Sequence, residues 1–170
     1  MVSRITQLLV DFGAIEFGEF TLASGARSRY YIDIKTAATR PELLGPIGEE
    51  IAANNAFDVV AGVAVGAVPI AVATSLASRK PYAIIRQQEK GHGKSGAVIG
   101  NVSGKNVLLV EDVTTSGGSV IYGVEKLREA GATVQNVVTV VDREQGAADA
   151  LKRIGIELRP LVRASEILSI

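Results

Sequence analysis

Two adjacent carboxylates, Glu111 and Asp112, are the residues of this chain best placed for chemistry. They close a nearly all-apolar, β-favouring run, Val107 to Glu111, that reads as a strand buried on both faces. A run of small and hydroxyl residues follows: Thr114, Thr115, Ser116, Gly117, Gly118 and Ser119. Beyond it Ile121, Val124 and Leu127 are spaced for one face of a helix. A helix start leaves unpaired N–H groups and partial positive charge, so an anion is favoured there. Gly117 and Gly118 allow the backbone to gather several N–H groups into a nest, and the hydroxyls can donate to further anion oxygens. Ionised carboxylates repel phosphate and accept hydrogen bonds only, which suits the vicinal hydroxyls of a ribose. The loop is neither GxxxxGK[ST] nor GxGxxG, so the two common nucleotide-loop designs are disfavoured.

The stretch VLLVEDVTTSGGSV (107–120) resembles the phosphoribosyl pyrophosphate (PRPP) motif of the type I phosphoribosyltransferases. The bland alternative is an ordinary β-turn-α connection. The motif implies a ribose-5-phosphate binder and leaves the base open.

Composition narrows the class. A chain of 170 residues suits one domain with a sizeable core, here mostly Val, Ile, Leu and Ala, because hydrophobic residues make up 47% and aromatics 5%. Lys plus Arg equals Asp plus Glu at 18 each, so no global field favours nucleic acid or an anionic membrane. The absence of cysteine excludes disulfides, thiolate metal sites and a Cys nucleophile. Arg4, Asp11 and Glu16 interrupt the N-terminus as a signal peptide, and no apolar run approaches the ~18 residues of a membrane span. A soluble cytoplasmic protein is expected.

The elements that must position the acidic pair alternate. Ile5, Leu8, Leu9 and Phe12 predict an opening amphipathic helix, and Glu19–Leu22 and Tyr30–Ile34 predict two strands. The segment FGEFTLASGARSRYYIDI (17–34) resembles the N-terminal hood of the orotate phosphoribosyltransferases, which narrows the family. A helix over Pro41–Ala53, a strand over Phe57–Val65 and a helix over Ile70–Ser78 follow. The turn between the last two, Gly66-Ala67-Val68-Pro69, reads either as a tight turn with proline at a helix start or, by the resemblance, as the pyrophosphate turn, with a non-proline cis bond near Ala64–Val65. Strands are predicted over Tyr82–Ile85, Ala97–Val102, Thr133–Val141 and Ile156–Val162, and a short helix over Ala147–Ile154. The fold expected is α/β: a mainly parallel, doubly wound sheet flanked by helices, one domain over 1–170, with 1–36 forming the N-terminal helix and hood. The site then lies at the carboxyl ends of the strands.

Residues 86–96 carry Arg86, Lys90, His92 and Lys94 among glycines and amides, a composition typical of a solvated loop. Their RxxxKxHG pattern resembles the catalytic loop of the orotate phosphoribosyltransferases, which closes over PRPP in the neighbouring subunit. Arg143, after the strand, is either a surface cation paired with Asp142 or Glu144 or, by resemblance of VDRE (141–144), the residue that binds orotate; a guanidinium fork matches the carboxylate that uracil and the purines lack.

The resemblance implies transfer of the phosphoribosyl group from PRPP to orotate in pyrimidine (UMP) biosynthesis. It implies Lys90, His92 and Asp112 as catalytic residues. It places PRPP on Arg86, Lys90, His92, Glu111, Asp112, Val113, Thr114, Thr115, Ser116, Gly117, Gly118 and Ser119, and orotate on Thr115 and Arg143. Mg²⁺ is held mainly by the substrate, with no protein ligand set, and a homodimer is implied by the crossing loop. Three positions depart from many family members, which have Lys where this chain has Ala23, Gly66 and Gln87. The alternatives on the same scaffold are a purine phosphoribosyltransferase and a PRPP-sensing regulator; the neutral charge and absence of a helix-turn-helix appendage argue against the regulator.

Overall fold

A computed structural model describes residues 2–88 and 96–170. The chain opens with helix α1 (Arg4–Asp11), capped by the Ser3 side chain, which accepts from Thr6 N. Strands β1 (Ile15–Thr21) and β2 (Arg27–Ile32) pair antiparallel as a separate two-stranded sheet. Both hood strands lie earlier in the sequence than the pattern predicts. Ile34 does not end a strand: it begins a four-residue helix, α2 (Ile34–Ala37), because the Asp33 carboxylate accepts from Thr36 N and caps it.

Next come α3 (Pro41–Asn54), β3 (Val59–Val63), α4 (Val68–Ser78) and β4 (Tyr82–Ile85). Beyond the 86–96 segment follow β5 (Val98–Ile99), β6 (Val107–Thr114), α5 (Gly118–Glu129) and β7 (Asn136–Asp142). The chain ends with α6 (Ala147–Lys152), β8 (Glu157–Arg163) and α7 (Ala164–Ile167). The strand predicted over Ala97–Val102 shrinks to two residues, stopped where Gly100 takes a φ of 114°. The predicted Phe57–Val65 strand is trimmed at both ends, while β6 runs past its acidic pair to Thr114, because β7 continues alongside and Thr114 pairs with Asp142.

The larger sheet has the order β5-β4-β3-β6-β7-β8, parallel throughout except for β5 at one edge. Alternate residues of the central strands feed two cores. Val60, Leu108, Val110, Val138 and Val140 pack with Leu9, Ile34, Leu43, Ile47, Ile51 and Ile70 on one face. Val59, Ala61, Leu109 and Val137 pack with Val120, Val124, Leu127 and Leu151 on the other. Each large aliphatic side chain so buried contributes about 1.5–3 kcal/mol, so β6, buried on both faces, is held more firmly than the hood. Among the described residues, no helix is long and apolar enough to cross a membrane.

Helices α3 and α4 approach closely at Gly48, where an added Cβ would lie 2.6 Å from the backbone carbon of Ala73. Backbone cannot swing aside as a side chain can. Gly48→Ala is therefore expected to cost about 1–3 kcal/mol, lowering the thermal midpoint by roughly 2–12 °C at about 2–4 °C per kcal/mol. A circular-dichroism melt checks this, and an unchanged midpoint would show that the two helices separate freely.

Candidate active site

In the register of the parallel sheet, Gly62 of β3 lies beside Val110 of β6, and Thr114 of β6 beside Asp142 of β7. The ends of these three strands therefore bring the 64–67 turn, the acidic pair and the 142–147 turn together. Glu111 and Asp112 are 6% and 8% exposed, nearly as buried as the core that precedes them.

Each carboxylate accepts from the next backbone amide: Glu111 Oε1 from Asp112 N at 3.0 Å, and Asp112 Oδ1 from Val113 N at 2.9 Å. Lys35 Nζ stands 3.7 Å from Asp112 Oδ2. Burial pushes the Glu111 carboxyl up to about 8, and the neighbouring Asp112 adds to the rise through hydrogen bonding and charge. Hydrogen bonds from the Asp112 amide and the Ser119 hydroxyl work against it. At neutral pH Glu111 therefore keeps its proton.

The loop after the pair takes the form its composition predicts. Gly117, at φ 90°, caps α5 without a side-chain hydrogen bond, so the first-turn amides have no capping side chain. Glu111 and residues 113–120 line a cavity of about 140 Å³, room for a small anion rather than a whole nucleotide. A larger hollow of about 430 Å³ between α3 and α4 is lined by Leu44, Val72, Leu76 and their neighbours, with no hydroxyl or cation in its wall. The residues of the small cavity are not equivalent. Thr115, Ser116, Gly118 and Ser119 are exposed to a ligand. Thr114 is 2% exposed and its hydroxyl donates to Asp142 Oδ1 at 3.0 Å, so that hydroxyl ties two loops rather than facing solvent. Val113 is half-buried, its amide turned to Asp112.

Asp142 is the hinge of the second loop. Its Oδ1 also accepts from Glu144 N at 3.1 Å, Arg143 N donates to Thr114 O at 2.9 Å, and Ala147 N donates to Thr115 O at 3.1 Å. Arg143 is thereby fixed beside the anion loop, its guanidinium carbon 5.4 Å from the Tyr30 ring centroid of β2. Its Nε is buried without a hydrogen-bond partner among the described residues. A pairing of the Arg143 guanidinium with Asp142 or Glu144 is not what the geometry provides: Asp142 serves Thr114, and the Glu144 carboxylate accepts from Ser165 N.

The 64–67 turn contains a cis peptide bond at Ala64–Val65, where the resemblance placed one. Arg86 anchors the start of the 86–96 segment: its amide donates to Ala97 O at 2.7 Å, Nη1 to Gly96 O at 3.3 Å, and Tyr122 Oη of α5 donates to its carbonyl at 2.9 Å. Lys90 and His92 lie outside the described residues. Sequence reasoning passed over Tyr30 and Lys35. The cap-forming Asp33 two residues before Lys35 was a signal of the short helix that presents it.

The proton on Glu111 has a consequence for stability. The unfolded chain releases it near the ordinary value of 4.5 and the folded chain near 8, so the folded state binds more protons between them. This contribution is fully present below about pH 4.5 and is lost as pH rises through 8. Glu111→Gln, which does not titrate, is expected to melt with a shallower decline over that window than the parent and to melt higher than it at pH 9. Parallel slopes for the two proteins would show that Glu111 ionises normally.

A model of the phosphoribosyl transferase domain matches residues 42–155. A protein of Methanoculleus marisnigri named orotate phosphoribosyltransferase is 66% identical over 168 residues, covering 99% of each chain. A crystal structure of the Mycobacterium tuberculosis orotate phosphoribosyltransferase superposes with a TM-score of 0.82 at 30% identity, covering 96% of this chain and 98% of that one. The Aeropyrum pernix orotate phosphoribosyltransferase gives 0.81 at 33% identity, with 96% and 95% covered. Likeness at that level, along the whole chain and in the fold alike, means that this chain belongs to the orotate phosphoribosyltransferases of the type I phosphoribosyltransferase family.

Proposed function

We propose that this chain transfers the 5-phosphoribosyl group from PRPP to N1 of orotate, forming orotidine 5′-monophosphate and pyrophosphate in pyrimidine biosynthesis. The observation that carries the choice of base is Arg143: a buried, unpartnered Nε on a guanidinium stacked against Tyr30 and fixed beside the anion loop. A buried donor without an acceptor costs about 1–3 kcal/mol, which a planar carboxylate ligand relieves. Orotate has that carboxylate, and the purine bases do not.

In this reading the 5′-phosphate lies on the amides and hydroxyls of Thr115 to Ser119, and Asp112, beside Glu111, accepts from the ribose hydroxyls. The C1–O bond to the diphosphate breaks while the bond from orotate N1 forms, the N1 proton passing to the departing diphosphate and positive charge developing transiently on the ribosyl ring. Arg143 and Thr115 hold the orotate in line with that carbon. By the family resemblance, Arg86, Lys90 and His92 act on the departing diphosphate, and closure of their segment excludes water. Among the described residues no cluster of three acidic or histidine side chains could hold a metal alone, so a cation here would rely on substrate oxygens and water. Mg²⁺, bound through substrate oxygens and water near Glu111 and Asp112, would supply neutralisation of the diphosphate charge. A cytoplasmic homodimer, in which the 86–96 segment serves the neighbouring site, completes the proposal.

Magnesium-dependent release of pyrophosphate from PRPP across orotate, uracil, adenine, guanine, hypoxanthine and xanthine tests it. Turnover with orotate is expected, and preference for a purine would overturn the base assignment. Arg143→Ala should raise the KM for orotate on the order of 100-fold, as expected for a lost charge-assisted pair, with the KM for PRPP moving less than about threefold. Equal changes in both would mean that Arg143 merely supports the loop. Light scattering tests the dimer: full activity from a monomer contradicts the crossing segment.

A further inference from the structure

Lys35 is absent from every motif above, yet the fold brings its ammonium to the centre of the site. Its Nζ is 3.7 Å from Asp112 Oδ2, and a Cβ built on Gly66 would collide with the Asp112 carboxylate and lie 2.9 Å from Lys35 Cε. The lysine stem therefore fills the space above Gly66, between the 64–67 turn and the acidic pair. Helix α2 sets this direction: Ile34 and Ala37 are buried in the core, the Asp33 cap fixes the turn, and Lys35 faces outward.

The pair with Asp112 does not account for the lysine by its contribution to stability. The Lys35 side chain is 65% exposed at 3.7 Å, and such ion pairs contribute at most about 1 kcal/mol. Leaving Asp112 for another anion thus costs little. The ligand in the proposed reaction presents that anion at this point. With the ribose at Asp112 and the 5′-phosphate on the far loop, the substituent at the anomeric carbon points back toward the end of β3, the strand adjacent to β6. Glu111 keeps its proton there, but the Asp112 carboxyl still faces an incoming diphosphate, and an ammonium between it and the turn offsets that repulsion at the protein's side of the ligand.

We propose that Lys35 binds the diphosphate of the phosphoribosyl substrate, delivering from α2 the positive charge that position 66 lacks. The inference rests on the reading under Proposed function. It differs from a role in which Lys35 only holds Asp112 in place, because that role serves the ribose whether or not a diphosphate is present.

The test uses the full chain and its Lys35→Ala and Lys35→Arg variants, with thermal melts confirming the fold. Rates are measured forward with PRPP and orotate, and in reverse with orotidine 5′-monophosphate and pyrophosphate. Lys35→Ala should raise the KM values for PRPP and pyrophosphate roughly 10- to 100-fold, those for orotate and orotidine 5′-monophosphate by less than about threefold, and Lys35→Arg should recover most of the loss. An unchanged KM for PRPP overturns the proposal. So does an equal rise for orotidine 5′-monophosphate, which would assign Lys35 to Asp112 alone. Should the parent chain not turn over orotate, the functional reading fails by itself. Calorimetric titration of PRPP against ribose 5-phosphate then tests Lys35 without turnover: only PRPP should bind more weakly to Lys35→Ala, and equal weakening, or none, overturns the assignment.

Discussion

Two carboxylates on consecutive residues, both under 10% exposed at the end of a buried strand, are the constraint around which this molecule is arranged. Burial disfavours either charge, and proximity disfavours the second. The protein answers with three small devices: a proton retained on Glu111, backbone amides turned onto each carboxylate, and an ammonium within 3.7 Å of Asp112. A ligand that donates hydroxyls to one side and brings negative charge to the cation and the helix start on the other completes the arrangement.

Topology does the rest of the assembly. In a parallel sheet every strand delivers its carboxyl end to the same edge, so the β3, β6 and β7 termini meet without a special device. Precision comes from hydrogen bonds between the loops. Thr114 to Asp142, Arg143 N to Thr114 O and Ala147 N to Thr115 O make the anion loop and the Arg143 turn one unit. The hood enters through Tyr30, whose buried ring supports the guanidinium, so the small antiparallel sheet is coupled to a side chain of the main one.

What the sequence disclosed follows from the range of the forces involved. The β6–α5 motif is legible because a strand buried on both faces and a glycine-capped helix are written in consecutive residues. The hood boundaries slipped because β1 and β2 lie mostly exposed, so their alternation carries little information about where pairing starts. The extent of β6 was underestimated for a different reason: Val113 and Thr114 stay in the sheet through β7, a partner more than twenty residues away. Lys35 and Tyr30 were invisible as site residues, since only the docking of α2 and β2 onto the sheet gives them neighbours. Thr114, which composition assigned to the ligand, is claimed by Asp142.

The same reasoning explains why this chain carries glycine at 66. A side chain there would enter the space that the Asp112 carboxylate and the Lys35 stem already occupy, so bulk on the turn would displace the lysine from the acidic pair. A cation rooted in the 64–67 turn would be positioned by β3. One rooted in α2 is positioned by Asp33, Ile34 and Ala37, on the same stretch of chain as Tyr30, which supports Arg143. Charge for the sugar end and support for the base end are thereby carried by one segment, residues 30–37. Movement of that segment would alter both ends of the site together, whereas a lysine at 66 would leave them independent.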